Sequence, residues 1–79
     1  MNILKNIMNL GGVIMTSIEN LVLTTTVKRV SYYLEQGFDK YVIDDYIDSI
    51  IRLSRIKYSE ELLTHLIDIR QKVLLNKKI

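Results

Sequence analysis

The most restrictive feature of this chain is the helical pattern of apolar residues between Asp39 and Arg55. On a helical wheel, the apolar side chains of this stretch fill one half and the charged ones fill the other. The apolar half contains Val42, Ile43, Tyr46, Ile47, Ile50, Ile51 and Leu53, and the charged half contains Asp44, Asp45, Asp48, Arg52 and Arg55. Asp39 is a favoured helix N-cap. The pattern therefore predicts an amphipathic helix over about residues 40–55.

Two further helices are predicted on either side of this one. Thr16 and Glu19 stand in the T-x-x-E order of a capping box, and Gly37 is the residue type favoured just after a helix end. These signals place a first helix at about residues 17–36. Ser59 can cap a third helix at about residues 59–76. Its apolar face would consist of Leu62, Leu63, Leu66, Ile67, Ile69, Val73 and Leu74.

Together these segments predict an all-α fold, a three-helix bundle in a single domain of residues 15–79. The chain has no proline and only 3 glycines, so few positions force the turns of a β-fold. Short joins make sequential helices antiparallel. One segment leaves an alternative open. The run LVLTTTV, residues 21–27, is rich in β-branched residues and also suits a strand.

Gly11 and Gly12 set the first fourteen residues apart from the predicted bundle. Met15 directly precedes the capping box, and Leu-Gly-Gly at residues 10–12 can be encoded by a purine-rich ribosome-binding sequence. We expect residues 1–14 to be a leader, disordered or not translated in the native protein, with Met15 as the working start. The alternative is a short amphipathic N-terminal helix docked on the core through Ile3, Leu4, Ile7 and Met8.

The first predicted helix is apolar on two sides. One stripe consists of Leu23, Val27, Val30 and Leu34, and roughly opposite it lie Ile18, Leu21, Val22, Tyr32 and Tyr33. A three-helix monomer covers one stripe and leaves much of the other in water. Pairing of two copies would cover it. We therefore expect a homodimer in which Val22, Tyr32 and Tyr33 contribute to the contact.

Arg70 falls within the apolar arc of the third helix. A guanidinium there requires a carboxylate or a position at the edge, because burying an unpaired charge is costly. One interpretation places Arg70 at the rim with its head in water. The sharper one makes it a binding anchor for an acidic partner, since arginine is enriched at interface hot spots. Asp44 or Asp48 of a second subunit would also serve.

The residue types point away from several kinds of chemistry. Without cysteine, no disulfide or thiolate zinc site can form, and the single His65 cannot build a multi-histidine metal site. Asp44, Asp45 and Asp48 are typical of a solvated helix face. We expect no metal, no cofactor and no catalytic residues, and hence a protein that is not an enzyme.

Charge and hydropathy restrict the partners. The net charge is only +2, and antiparallel packing would separate the basic residues near positions 52–57 from those near the C-terminus. Nucleic-acid binding is therefore not expected. No apolar run approaches the roughly 20 residues of a membrane span, and residues 1–14 have no small-residue cleavage site. A cytoplasmic protein is the expectation.

One segment resembles a known family. Residues 56–62, IKYSEEL, continuing to Leu66 and Ile67, resemble the second helix of the sporulation-type aspartyl-phosphate phosphatases, whose signature is S-x-E-L-D. Those are short cytoplasmic helical hairpins that dephosphorylate response regulators. Ser59, Glu61 and Leu62 match, but Leu63 stands where the essential aspartate belongs. The resemblance covers about a dozen residues and implies either this activity or a binding scaffold without it.

These observations favour one class of function over two others. The leading hypothesis is a small, non-catalytic helical regulatory protein that docks on a protein partner as a homodimer. Such a protein would suit a bacterial or phage regulator. The phosphatase-like hairpin is the second hypothesis. The third is a dimeric DNA-binding regulator of ribbon-helix-helix type, with residues 21–27 as the paired strand.

Overall fold

The computed structural model describes residues 15–79, and the expectations for residues 1–14 lie outside this part of the chain. Three helices follow one another: α1 (Ser17–Glu35), α2 (Lys40–Lys57) and α3 (Glu60–Leu74). No strand occurs between residues 15 and 79. The predicted all-α three-helix bundle is confirmed. In the same residues, no helix is long and apolar enough to cross a membrane.

The strand alternative for residues 21–27 is wrong, because this segment lies inside α1. The helix begins with the complete capping box: the N–H of Glu19 donates to the Thr16 hydroxyl at 3.1 Å, and the N–H of Thr16 donates to the Glu19 carboxylate at 2.9 Å. Farther along, the Thr26 hydroxyl donates to the carbonyl of Val22 at 2.8 Å. The hydroxyl of this β-branched residue is thus hydrogen-bonded within the helix. The ribbon required by the DNA-binding alternative does not form.

Glycine ends α1 at the predicted position. Gly37 has φ +79°, and the N–H groups of Gly37 and Phe38 donate to the carbonyls of Leu34 and Tyr33. This is the double hydrogen bond of a Schellman motif, which needs a left-handed residue just after the helix. Helices α1 and α2 also begin where predicted, and the remaining boundaries differ from the prediction by one or two residues.

Helix α2 continues to Lys57, two residues beyond the predicted end. Nothing between Arg55 and Tyr58 breaks it, and the N–H of Tyr58 still donates to the carbonyl of Ser54. Helix α3 begins at Glu60 because Ser59 is its extended N-cap. It ends at Leu74, two residues before the predicted end, because Asn76 turns into the left-handed region with φ +58°.

The core lies mainly between α2 and α3, which pack against each other more extensively than either packs against α1. In the three helices, eight hydrophobic residues are buried: Val30 from α1, Ile43, Ile47 and Ile51 from α2, and Leu62, Leu66, Ile69 and Val73 from α3. The helices run up, down and up. The Ser59 N–H at the start of α3 bonds to Glu19 at the start of α1, and Lys40 at the start of α2 bonds to Leu74 at the end of α3.

The inward face of α1 lies between the two predicted stripes. Three residues are buried along this face: Glu19, Thr26 seven residues later, and Val30 eleven residues later. Leu34, which belongs to the predicted stripe, is instead 40% exposed. Glu19 has to face α3 to accept from Ser59, and residues at helical spacing follow it inward. The buried face of α1 therefore includes the polar Glu19 and Thr26, and the apolar pattern alone places this face incorrectly.

Candidate docking surface between the first two helices

An apolar groove of about 350 Å³ lies between α1 and α2. Its walls are Leu21, Val22, Thr25, Thr26 and Arg29 from α1, and Tyr46, Ile50 and Leu53 from α2. The two threonines are shorter than the leucine and isoleucine side chains around them. The two helices consequently leave space where longer residues on α1 would have filled it.

Exposed apolar side chains continue from the groove along both helices. On α1 these are Ile18, Leu21 and Tyr32, and on α2 they are Val42, Leu53 and Ile56. Leu21 is 65% exposed and Ile56 is 83% exposed. Helical spacing places Ile18 and Tyr32 on the groove side of α1 and Val42 next to that of α2. Ile56 follows Leu53 at i+3 and extends the exposed apolar row away from the groove, towards the outer side of α2. We call the groove together with these six side chains the α1–α2 surface.

The α1–α2 surface carries a positive charge. Among residues 15–79, Arg29 is the one charged residue in the groove walls, and no carboxylate of this part of the chain lines them. Within residues 15–79, Arg29 forms no ion pair, whereas Arg52 on the outside of α2 is 3.1 Å from Asp48. A ligand in the groove would therefore meet apolar walls and one available guanidinium.

The structure separates the three residues predicted to form a dimer contact. Val22 lies half-buried in the wall of the groove. Tyr33 is half-buried as well, with its ring 5.0 Å from that of Phe38 and 5.6 Å from that of Tyr46. Tyr32 alone is largely exposed. Tyr33 thus serves the packing of α1 on α2, Val22 lies in the wall of the groove, and Tyr32 is exposed beside it. Their contribution to a dimer contact stays a prediction.

Arg70, the fourth predicted binding residue, has its carboxylates within the same chain. Its Nε donates to Asp44 at 2.5 Å, and its Nη1 is 3.5 Å from Asp48. The hydrogen bond and charge of Asp44 raise the pKa of Arg70 above its ordinary value. This pair connects α2 to α3 on the side of the hairpin away from the groove. The partner-anchor role of Arg70 stays a prediction.

Glu19 is a site residue that the sequence identified only in part. Its capping box is local, but its second carboxylate oxygen accepts the N–H of Ser59, forty residues along the chain, at 2.5 Å. The hydrogen bonds from the N–H groups of Ser59 and Thr16 lower the pKa of Glu19 from its ordinary 4.5 to about 2. One carboxylate therefore joins the first turns of α1 and α3, beneath the end of the α1–α2 surface that carries Ile18.

The residues with catalytic potential lie apart from this surface. His65 pairs with Glu61 on the exposed side of α3, at 3.2 Å. In the described part of the chain, no group of three or more histidine, aspartate or glutamate residues comes together to hold a metal ion. Two of the three residues that match the phosphatase signature have structural contacts: the Ser59 hydroxyl caps α3 by accepting from Leu62, and Leu62 is buried in the core.

A second, larger cavity of about 590 Å³ opens between the ends of α1 and α3. Its walls are mixed in polarity and consist of Ser31, Leu34, Glu35, Val73, Asn76, Lys77, Lys78 and Ile79. Positive and negative side chains line it together, so its charge does not select a ligand of one sign. The α1–α2 groove differs from it in having mainly apolar walls and charge of one sign.

Comparison of the chain with protein families, with curated proteins and with solved structures gives no match.

Proposed function

We propose that the protein is a small, non-catalytic helical interaction protein that docks on a protein partner through the α1–α2 surface. The observation that carries this proposal is the placement of α1. Only one of its hydrophobic residues is fully buried, while Ile18, Leu21 and Tyr32 remain in water beside an apolar groove. Exposed apolar patches of this kind mark interaction sites more often than the remaining surface does.

The exposed area of the α1–α2 surface is large enough for an interface between two copies of the chain. We propose that a second copy covers this surface when no other partner is bound. At roughly 200 Å² for a fully exposed large side chain, the six exposed residues present on the order of 700 Å². The largest apolar patch of an ordinary monomer is about 300–600 Å². A standard interface takes about 800 Å² from each partner. A domain this small also gains more from covering apolar area than a large one does. The proposed resting form is therefore a homodimer.

Sedimentation velocity of the full chain at tens of micromolar tests the homodimer. We expect the wild type to sediment as a dimer and the variants Leu21→Glu, Leu53→Glu and Tyr32→Glu as monomers, because each places a charge in the α1–α2 surface. Leu75→Glu is the matched control, since Leu75 is 64% exposed and lies outside the surface. A monomeric wild type, or a Leu75→Glu variant that dissociates as readily as Leu21→Glu, would contradict the proposal. The cytoplasmic location expected from the sequence stays a prediction.

A further inference from the structure

The chemistry of the groove distinguishes among possible partners. It combines five apolar or aromatic side chains with a single cation, Arg29, and no carboxylate. Resting on the function proposed above, we propose that the partner segment is an acidic amphipathic helix. This helix lies along the groove with one carboxylate on Arg29 and displaces the second copy.

The shape of the site suits a helix. The groove is bounded by two neighbouring antiparallel helices, and its α1 wall extends from Leu21 to Arg29. Eight residues of α-helix rise about 12 Å, slightly more than two turns. A docked helix would place about three apolar side chains on this length, at the i, i+3 or i+4, and i+7 spacing that helix-in-groove complexes use. The threonines at positions 25 and 26 leave the space for them.

The charge of the site selects an acidic helix. Arg29 forms no ion pair within residues 15–79, and the groove walls offer it no carboxylate. Covering a guanidinium without a partner is unfavourable, whereas pairing it across an interface adds specificity. A second copy brings another Arg29 and the same walls without a carboxylate. An acidic helix supplies the carboxylate that the second copy lacks. We therefore expect it to displace the second copy from the groove.

The test uses two labelled peptides of about 15 residues, long enough to form a helix on binding. Both carry leucines at i, i+4 and i+7. One has glutamates beside the leucine stripe and the other has lysines at the same positions. Fluorescence anisotropy with the full chain is expected to show the glutamate peptide binding at least about tenfold more tightly than the lysine peptide. Arg29→Glu should invert this preference. Lys28→Glu, at an exposed neighbour outside the groove walls, should preserve it.

Sedimentation of the same samples separates this inference from the proposed homodimer. The glutamate peptide should convert the dimer into a one-to-one complex of chain and peptide. If the wild type is a dimer and both peptides bind equally or not at all, the inference is wrong and the homodimer stands. If Lys28→Glu changes the preference as much as Arg29→Glu, the charge effect is not local to the groove, and the inference is also wrong. If the wild type is a monomer that binds the glutamate peptide with the stated preference, only the homodimer fails.

Discussion

The hairpin of α2 and α3 and the helix α1 use their apolar residues in opposite ways. The hairpin buries seven of the eight core hydrophobic residues and is further joined by the Arg70–Asp44 pair. Helix α1 buries one hydrophobic residue, Val30, together with the polar Glu19 and Thr26. It nevertheless carries enough leucine, isoleucine and tyrosine to have made a larger core, and several of these side chains point to water.

This difference indicates a division of roles between the two parts. Buried apolar area is the main source of folding free energy, so the hairpin stabilises the fold. Helix α1 is held by a smaller apolar contact and by the carboxylate of Glu19, which leaves its outer side exposed. Under the proposed function, stability and binding belong to different helices, and each role can be tested by itself.

The largest effect is expected for Leu66→Ala in the centre of the hairpin. Leu66 is fully buried among the side chains of α2 and α3. Its truncation should lower the free energy of unfolding by about 2–5 kcal/mol, through lost burial and a cavity. Urea denaturation followed by circular dichroism measures this change.

The matched control is Leu75→Ala, at a leucine that is exposed after the end of α3. It should change the free energy of unfolding by about 0.5 kcal/mol or less. Equal losses for the two variants would mean that the hairpin core does not dominate stability.

The second prediction concerns the attachment of α1. Glu19→Gln removes the charge that accepts the N–H groups of Thr16 and Ser59. We expect faster amide hydrogen exchange in α1 while α2 and α3 keep their protection, because local unfolding follows the weakest attachment. The control Glu60→Gln, at an exposed carboxylate in the first turn of α3, should leave the exchange of α1 unchanged. Uniform loss of protection across all three helices would show that α1 is not a separate unit.

The Glu19 carboxylate also predicts a pH range in which the stability of the fold decreases with acid. The pKa of Glu19 is about 2 in the folded protein, against an ordinary 4.5, so the unfolded chain takes up this proton first as the pH falls. The contribution of Glu19 to stability is complete above pH 4.5 and is lost as the pH falls from there towards 2. Stability of Glu19→Gln should therefore decline less over this range than that of the wild type. Parallel declines measured by urea midpoints would contradict the depressed pKa.

A smaller effect is expected at the join between α1 and the hairpin. Gly37 has φ +79°, and a Cβ added there would meet nothing within 4 Å. Gly37→Ala should therefore cost about 1–2 kcal/mol from backbone strain alone. Gln36→Ala is the control, because the neighbouring cap residue has an ordinary helical φ of −82°. A neutral Gly37→Ala in thermal melts would show that the end of α1 relaxes without straining the bundle.

The last prediction is a gain of stability within the hairpin. The Ser54 hydroxyl is buried in α2 and has no hydrogen-bond partner among residues 15–79. Ser54→Ala removes this unsatisfied group and should stabilise the protein by about 1 kcal/mol. Ser49→Ala, whose exposed hydroxyl donates to the carbonyl of Tyr46, should not. A loss of stability in Ser54→Ala would indicate that the hydroxyl fills space the methyl group cannot.

Much of the fold could be predicted from local signals. Thr16, Asp39 and Ser59 cap the three helices as their residue types predict, and Gly37 ends α1. These features depend on hydrogen bonds within a few residues, so the nearby sequence contains what they need. The apolar faces of α2 and α3 could likewise be predicted, because each helix has one dominant apolar side.

The candidate site was only partly predictable. An exposed apolar face on α1 could be expected, and Tyr32 belongs to it; Val22 lies in the groove wall beside it, whereas Tyr33 packs against Phe38 and Tyr46. Arg70 was expected to need either a carboxylate or a position at the edge, and Asp44 of the same chain provides the carboxylate. Arg29 could not be predicted as a site residue, because a lone arginine on a helix has no local sequence signature. Its position in a binding surface depends on the groove that α2 forms beside it.

The sequence by itself therefore determined the helices and their ends, since caps, periodicity and turn residues act over a few positions. The tertiary structure decided which way α1 faces and what remains exposed. Glu19 accepts from Ser59, forty residues along the chain, and on the same side of α1 Thr26 and Val30 are buried, while Leu21 and Tyr32 lie outside. A helix with two apolar sides fits a core in more than one rotation. Only the positions of its neighbours, through a long-range hydrogen bond and the shape of the hairpin, select one of them.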